Sequence, residues 1–349
     1  MKFIIFVTRN CNLNCDYCYE KSITKNCNMD IKTADQTIDF ILNKINNIND
    51  DEDNINILFH GGEPTLNMPI MEYFINKLKM LTTKKILFHT TTNGTFDEKF
   101  LTFLEKNFSS ITFSIDGNKT MHGLNRKYNN GDNSYDISMK NALLYKSLGH
   151  IPRIRITINR KNIEHAYDGI LDLVNKGFDY IVPCLDFNEN WKELELNYLK
   201  KELLNLKKKI NLSKVKVSLL DIDCLASTKG DCFSLIYDYV IDYNGDIYPC
   251  VLLNGSKEYL VGNVKAYDQL YKNPNYIKIM SILKEETNEE CSECVRSDFC
   301  EGVRCKLINH YNTGKSSEPH RNTCMNEHFR YSLLEKILEE DNLNNGDYL

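Results

Sequence analysis

Short apolar runs alternate with one-sided amphipathic stretches along the first half of the chain. The runs Phe3–Val7, Ile55–Phe59, Ile86–His89, Ile111–Ile115, Ile154–Ile158 and Tyr180–Leu185 are brief and rich in β-branched and aromatic residues, so they read as strands. Between them lie helix-like segments near 33–49, 67–81, 97–107, 137–148 and 163–176. In the first of these, Ile38, Ile41, Leu42 and Ile45 keep the i, i+3, i+4, i+7 spacing of a helix with one apolar face. Strands alternating with helices predict an α/β fold whose parallel sheet is closed by right-handed crossovers. Six such units make an open, partial (β/α)6 TIM-like barrel, and in such barrels the chemistry collects on loops at the C-terminal ends of strands.

The pattern then changes. Residues 187–212 predict a bridging helical stretch, with Trp191 at its start and Leu199, Leu203, Leu204 and Leu206 keeping an apolar stripe under a Lys-rich, solvated side. A strand over Val215–Leu220 is expected next, and the composition turns cysteine-rich beyond it, which places a boundary near 213–223. Asn244-Gly245 favours a tight hairpin turn between Tyr237–Asp242 and Asp246–Cys250. Residues 326–340 predict a terminal helix, and 341–349 a frayed polar tail.

Composition narrows the function. A chain of 349 residues holds one large core plus a smaller appendage. A net charge of −5 and a pI near 6.0 provide no strong field for nucleic acid or an anionic membrane, so neither is expected as a partner. Phe3–Val7 is too short for a signal-peptide core, and no apolar run approaches the roughly 20 residues of a membrane span. The expected location is therefore cytoplasmic. There the 13 cysteines read as metal ligands or catalytic groups rather than disulfides.

Cys11, Cys15 and Cys18 follow directly on the first strand. Three thiolates on one loop can hold three irons of a [4Fe–4S] cube and leave the fourth iron open. The alternative is part of a zinc site, which wants a fourth N or S ligand, and only Cys27 lies near enough in sequence. The spacing Cys-x3-Cys-x2-Cys, with Tyr17 before the last cysteine, resembles the radical S-adenosylmethionine (SAM) superfamily. In that family the open iron chelates SAM and reduces it to a 5′-deoxyadenosyl radical.

Other motifs fall at predicted strand ends. His60-Gly61-Gly62-Glu63-Pro64 resembles the family's Gly-Gly-Glu-Pro segment, which implies contacts from Gly62 and Glu63 to the SAM amino group. Thr92-Asn93-Gly94 looks like its Thr-Asn-Gly segment, with Asn93 near the methionyl end. Ser114-Ile115-Asp116-Gly117, followed by His122, Asn125 and Arg126, resembles the branch that modifies peptides and proteins. Ser114 and Asp116 are expected to point the same way, and the planar fork of Arg126 suits the SAM carboxylate. Leu185 matches a position that packs on the adenine in relatives.

The last third carries Cys232, Cys250, Cys291, Cys294, Cys300, Cys305 and Cys324. Seven cysteines so spaced resemble the SPASM domain, which implies two auxiliary [4Fe–4S] clusters and three in all. Paired zinc sites are the competing reading. By resemblance, Cys291, Cys294, Cys300 and Cys324 close one cluster, and Cys232, Cys250 and Cys305 hold three irons of the other. Its fourth ligand is either Cys224, eight residues before Cys232, or no residue at all. One departure stands out: four residues separate Cys300 from Cys305, where the family usually has three. The expected division is a radical SAM partial barrel over 1–186, a bridging region over 187–223, a small Cys-rich SPASM domain over 224–330 and a C-terminal helix and tail over 331–349.

The resemblance implies an enzyme that abstracts hydrogen from a peptide or protein, to make a thioether or carbon–carbon crosslink or an epimerised centre. It implies an electron donor such as flavodoxin or ferredoxin. Cys184, at the end of the sixth strand, is a candidate hydrogen-atom donor, while Cys27 reads as a small buried residue. Many peptide maturases begin with a leader-binding domain, whereas this sequence begins at the barrel. A second reading is an anaerobic sulfatase-maturating enzyme, which forms formylglycine. Those relatives have a catalytic Asp after the cysteine matching Cys250; here that position is Val251, with Asp242 and Asp246 as possible substitutes. A reading of another class is a non-enzymatic iron–sulfur electron carrier, which would need none of the SAM-contact motifs.

Overall fold

The computed structural model describes residues 1–20, 27–47 and 54–345. All six expected strands form: β1 (Lys2–Thr8), β2 (Ile55–Gly61), β3 (Ile86–Thr92), β4 (Ser110–Ser114), β5 (Arg153–Ile158) and β6 (Tyr180–Leu185). They pair in sequence order, each parallel to the next. The crossover helices are α1 (Ile31–Asn46), α2 (Met68–Leu81), α3 (Leu101–Asn107), α4 (Lys119–Asn125), α5 (Tyr135–Ser147) and α6 (Ala166–Asn175). Helix α1 starts two residues before the expected position 33 because Asp30 caps it, accepting from the Thr33 amide, and residues 48–49 of the expected segment lie outside the described residues. Helix α4 has no counterpart in the sequence reading. It is only seven residues long, too short to show a period, and it forms because Asn118 caps the amide of Met121.

Strand alternation divides the sheet into two faces. Phe3, Ile5, Ile57, Phe59, Ile111, Phe113, Ile154 and Ile156 are fully buried toward the helices. Burying each such side chain contributes about 1.5–3 kcal/mol, which fixes the register of every strand. The opposite face lines the open barrel. A small cluster of Ile4, Phe6, Val240 and Tyr248 closes one part of it.

The chain after β6 does not form a detached unit. Helix α7 (Glu193–Lys207) buries Leu196, Leu199, Leu203 and Leu206. Strand β7 (Lys216–Val217) is two residues long instead of six, because the backbone turns where the Leu220 amide bonds Val217. The predicted hairpin forms as β8 (Asp238–Ile241) and β9 (Asp246–Tyr248), with Gly245 at φ 86° in the turn. Its first strand pairs parallel to β1. With β10 (Gly262–Asn263), the result is one ten-stranded sheet in the order β10-β9-β8-β1-β2-β3-β4-β5-β6-β7. The cysteine-rich region is thus an extension of the barrel wall at the β1 edge.

The terminal helix spans Arg321–Asn345, longer than expected at both ends. Leu333 and Ile337 are fully buried and Lys207 pairs with Asp341, so 341–345 continue the helix rather than fray. Residues 346–349 of the expected tail lie outside the described residues. Among the described residues no helix is long and apolar enough to cross a membrane.

Candidate cluster and cofactor site

The loop of Cys11, Cys15 and Cys18 leaves β1 at the C-terminal edge of the sheet and is clamped on two sides. On one side the Gly62 amide bonds Thr8 O at 3.1 Å and the Glu63 amide bonds Asn10 O at 2.8 Å. This approach leaves no room for a side chain: a Cβ on Gly62 would stand 2.4 Å from Asn10 O and 2.6 Å from Arg9 O. Here the glycine pair admits the cysteine loop itself. On the other side Asn14 N bonds Lys127 O at 2.8 Å and Asp16 N bonds Asn125 O at 3.2 Å, so the loop also rests on the segment after α4.

The polar groups around the thiols are arranged as donors. The Leu13 amide lies 3.4 Å from Cys11 Sγ, Asn93 Nδ2 lies 3.9 Å from the same sulfur, and Arg126 Nη1 lies 4.0 Å from Cys15 Sγ. Burial pushes the Cys11 thiol up to about 12, with Glu63, Cys15 and Cys18 adding like charge. Such a thiol becomes a thiolate when a metal supplies the opposing charge. Among the described residues no three His, Cys, Asp or Glu side chains converge on the position of a single ion. A cluster asks instead for one thiolate per iron, and this donor set of thiols plus N–H groups fits it.

Glu63, 1% exposed, joins the ends of β2 and β3. Its Oε1 accepts from Thr65 N, Thr65 Oγ1 and Thr92 Oγ1 at 3.1, 2.7 and 2.8 Å, and its Oε2 accepts from Asn93 N at 2.6 Å. Burial raises its pKa and these bonds oppose the rise. With a single bond, Oε2 keeps acceptor capacity for an ammonium group. Asn93 is held in turn by Asn12, whose Oδ1 accepts from Asn93 Nδ2 at 2.9 Å.

Asp116 is fully buried and saturated. Its Oδ2 accepts from Tyr17 Oη at 2.5 Å and pairs with Arg126 Nε at 3.2 Å, while Oδ1 accepts from Thr157 N at 2.9 Å. Arg126 lies over the Tyr17 ring at 5.2 Å. Burial opposes the Arg126 charge, but Asp116, Tyr17 and Cys15 hold its pKa above the ordinary value. Asp116 therefore orients Tyr17 and Arg126, and it differs from Ser114, which is only half-buried. Leu185 and Cys184 are half-buried at the end of β6, where Cys184 registers with Thr157 and so faces the barrel interior.

Beneath the loop, Arg9 ties the two cysteine systems together. Its guanidinium meets Asp242 of the hairpin at 2.6–3.0 Å and Glu20, two residues after Cys18, at 2.8 Å. Asp242 is thus committed to Arg9. Asp246 is committed to Asn244 and Asn263, both at 2.8 Å. Asp242 spends both oxygens on the Arg9 cation, while Asp246 holds one side-chain amide on each oxygen.

The second system falls into two groups. Cys305 lies in the electrostatic range of Cys250 and Cys232. Cys291 lies in that of Cys300, Cys324 and Cys294. The extra residue between Cys300 and Cys305 is absorbed by a helical turn, Glu301–Arg304, closed by Cys305 N on Glu301 O at 2.8 Å. Asp221 and Lys216, and no cysteine, are the charged groups that shift the thiol of Cys224. Its thiol donates to Asp221 Oδ2 at 3.4 Å, and its carbonyl accepts from Arg330. Cys27 is buried, as a small apolar residue would be.

The sequence reading gave no role to Tyr19, His60 and Arg155; Tyr19 lies in the electrostatic range of Cys18, Cys250 and Arg155, and His60 in that of Arg155. The signal for Arg155 was present in the strict alternation Arg-Ile-Arg-Ile-Thr-Ile of β5.

The family model of the radical SAM superfamily matches residues 5–174, and that of the SPASM iron–sulfur cluster-binding domain matches 232–295. A cysteine-type anaerobic sulfatase-maturating enzyme of Clostridium perfringens is 27% identical over 335 residues, 85% of this chain and 86% of that one. The radical SAM cyclopropyl synthase TigE of Paramaledivibacter caminithermalis is 25% identical over 217 residues, 58% of this chain and 45% of that one. Among solved structures, native anSMEcpe with bound AdoMet superposes with a TM-score of 0.80 at 20% identity, covering 98% of this chain and 99% of the other. Streptococcus suis SuiB bound to precursor peptide SuiA gives 0.64 at 19%, covering 93% and 75%. At such identity the two superpositions speak for the fold. With both family models lying on one continuous sheet, residues 5–174 form a radical SAM superfamily domain and residues 232–295 belong to a SPASM iron–sulfur domain.

Proposed function

We propose that the chain is a radical SAM maturase that abstracts hydrogen from a residue of a peptide or protein. The observation that carries this is the ring of N–H donors from Leu13, Asn93 and Arg126 on the sulfurs of Cys11 and Cys15 at the mouth of the barrel. Cys11, Cys15 and Cys18 would hold the first cluster, and SAM bound to it supplies the hydrogen-abstracting radical. Glu63 offers Oε2 to the SAM ammonium, and Arg126, braced by Asp116, offers its outer nitrogens to the carboxylate. Gly62, Asn93, Ser114, Tyr17 and Leu185 line the same end of the sheet. Two further clusters, on Cys291, Cys294, Cys300 and Cys324 and on Cys232, Cys250 and Cys305, would bring the number to three, with Cys224 or substrate completing the second. Cys184, on the interior wall, is the thiol available to return a hydrogen atom if the product is an epimer. A flavodoxin or ferredoxin in the cytoplasm would supply the electron.

A second reading, sulfatase maturation, is favoured by the relative that spans 85% of the chain. Against it stand Val251 at the base position and the engagement of Asp242 and Asp246 elsewhere. The test is reductive cleavage of SAM to 5′-deoxyadenosine by reconstituted protein under argon, with and without a cysteine-containing sulfatase peptide. Cleavage that needs Cys11, Cys15 and Cys18 is expected. Protein with a full first cluster and no cleavage would falsify the enzyme reading, and formylglycine in the peptide would select the second one.

A further inference from the structure

Strand β5 sets Ile154, Ile156 and Ile158, all fully buried, against the helices, so Arg153, Arg155 and Thr157 face the barrel interior. Arg155 is exposed there. Arg9, Arg126, Arg160 and Arg330 each hold a carboxylate. Among the described residues none pairs with Arg155. A guanidinium on an interior wall with no protein anion is a recognition group awaiting one.

Its surroundings define the anion. Tyr19, which follows Cys18, lies within electrostatic range of both Arg155 and Cys250, so Arg155 shares one neighbourhood with the two cysteine systems. His60, on the same face of β2, also lies in its range. Burial, together with Arg155 and Lys2, lowers His60 to about 4 and keeps it neutral, and its Nδ1 has no hydrogen-bond partner. Arg155 offers a planar fork, with the unbonded His60 Nδ1 and the Lys2 cation in the same neighbourhood, and the group that a peptide brings to two parallel N–H bonds is a carboxylate.

We propose that Arg155 seats a carboxylate of the peptide substrate between the two cysteine systems, setting which residue meets the radical. The inference rests on the peptide-modifying reading above. The carboxylate belongs either to an acidic side chain or to the peptide's C-terminus. SAM carries one too, and Ser114 registers with Arg155, so the test must separate them.

Three acetylated nonapeptides of Gly, Ala and Ser serve as probes: central Asp with an amidated end, central Asn with an amidated end, and central Asn with a free carboxyl end. Equilibrium binding to anaerobically reconstituted full-length protein with SAM is measured for wild type, Arg155→Gln and Arg155→Lys, at matched iron content. One carboxylate peptide is expected to bind wild type roughly tenfold tighter than the neutral one, the order of a charge-assisted pair. Which of the two it is identifies the source. Arg155→Gln should bring all three within about twofold, and Arg155→Lys should retain part of the preference, as a charge without the fork does. Equal binding of all three peptides by wild type overturns the proposal. So does a preference that survives in Arg155→Gln, and if that variant loses affinity for SAM instead, Arg155 serves the cofactor. Wild type that prefers a carboxylate but never cleaves SAM removes the parent reading and leaves this one.

Discussion

The junction of the two cysteine systems is the place to break. Arg9, Glu20 and Asp242 have side chains only 1%, 8% and 5% exposed, and Asp242 takes both the Nε and the Nη2 of Arg9. Asp242→Ala removes two charge-assisted bonds, each worth about 1.5–3 kcal/mol, and leaves a buried cation with only Glu20. The expected loss is about 3–5 kcal/mol, the range for removing one partner of a buried pair. That is a large share of the roughly 5–15 kcal/mol that holds a typical domain together. Because Arg9 precedes Cys11 and Glu20 follows Cys18, cluster content should fall with stability. The assay is urea unfolding under argon with iron counted per chain. Lys265→Gln, an exposed side chain just beyond the hairpin, serves as control and should stay within about 0.5 kcal/mol. A loss under about 1 kcal/mol with iron unchanged would refute the idea that this buried pair couples the hairpin to the cysteine loop.

Other outcomes follow from the same geometry. Gly62→Ala drives a Cβ into Asn10 O at 2.4 Å, so reconstituted protein should lose about four of the roughly twelve irons that the proposed three clusters require, and all SAM cleavage. Cys224→Ser should keep roughly twelve irons, since three thiolates hold a cube; a fall to about eight would make Cys224 indispensable to its cluster. His60 titrates near 4 when folded, below its unfolded value of 6.5, so the unfolded chain binds the extra proton and stability falls as pH drops through that window. Between pH 7.5 and 6.0 this amounts to about 0.8 kcal/mol, and His60→Gln should remove that part of the slope in paired urea titrations.

Much of the site was legible because its parts are local in sequence. The eight residues from Cys11 to Cys18, the segment around Glu63 and the segment around Asn93 each carry their chemistry within one loop. The commitments of those residues were not legible. Glu63 meets Thr92 and Asn93, 29 and 30 residues away, and Asp116 meets Tyr17 at a separation of 99. Asp242 and Asp246 read equally well as substitute bases until their partners were known. Arg155 was hidden differently, in a strand whose alternation was read for its isoleucines and not for the face between them.

By itself the sequence determined the order of the six barrel strands and of five of the six helices between them, the parallel barrel and the two cysteine systems, because periodicity and ligand spacing act over a few residues. Only the tertiary structure decided that the hairpin Asp238–Tyr248 joins β1 as a continuation of the barrel sheet, and that Arg9 locks it there across 233 residues. Edge pairing and a buried ion pair depend on which surfaces are left open once the core has closed. That is a property of the assembled sheet and leaves no mark on any single stretch of chain.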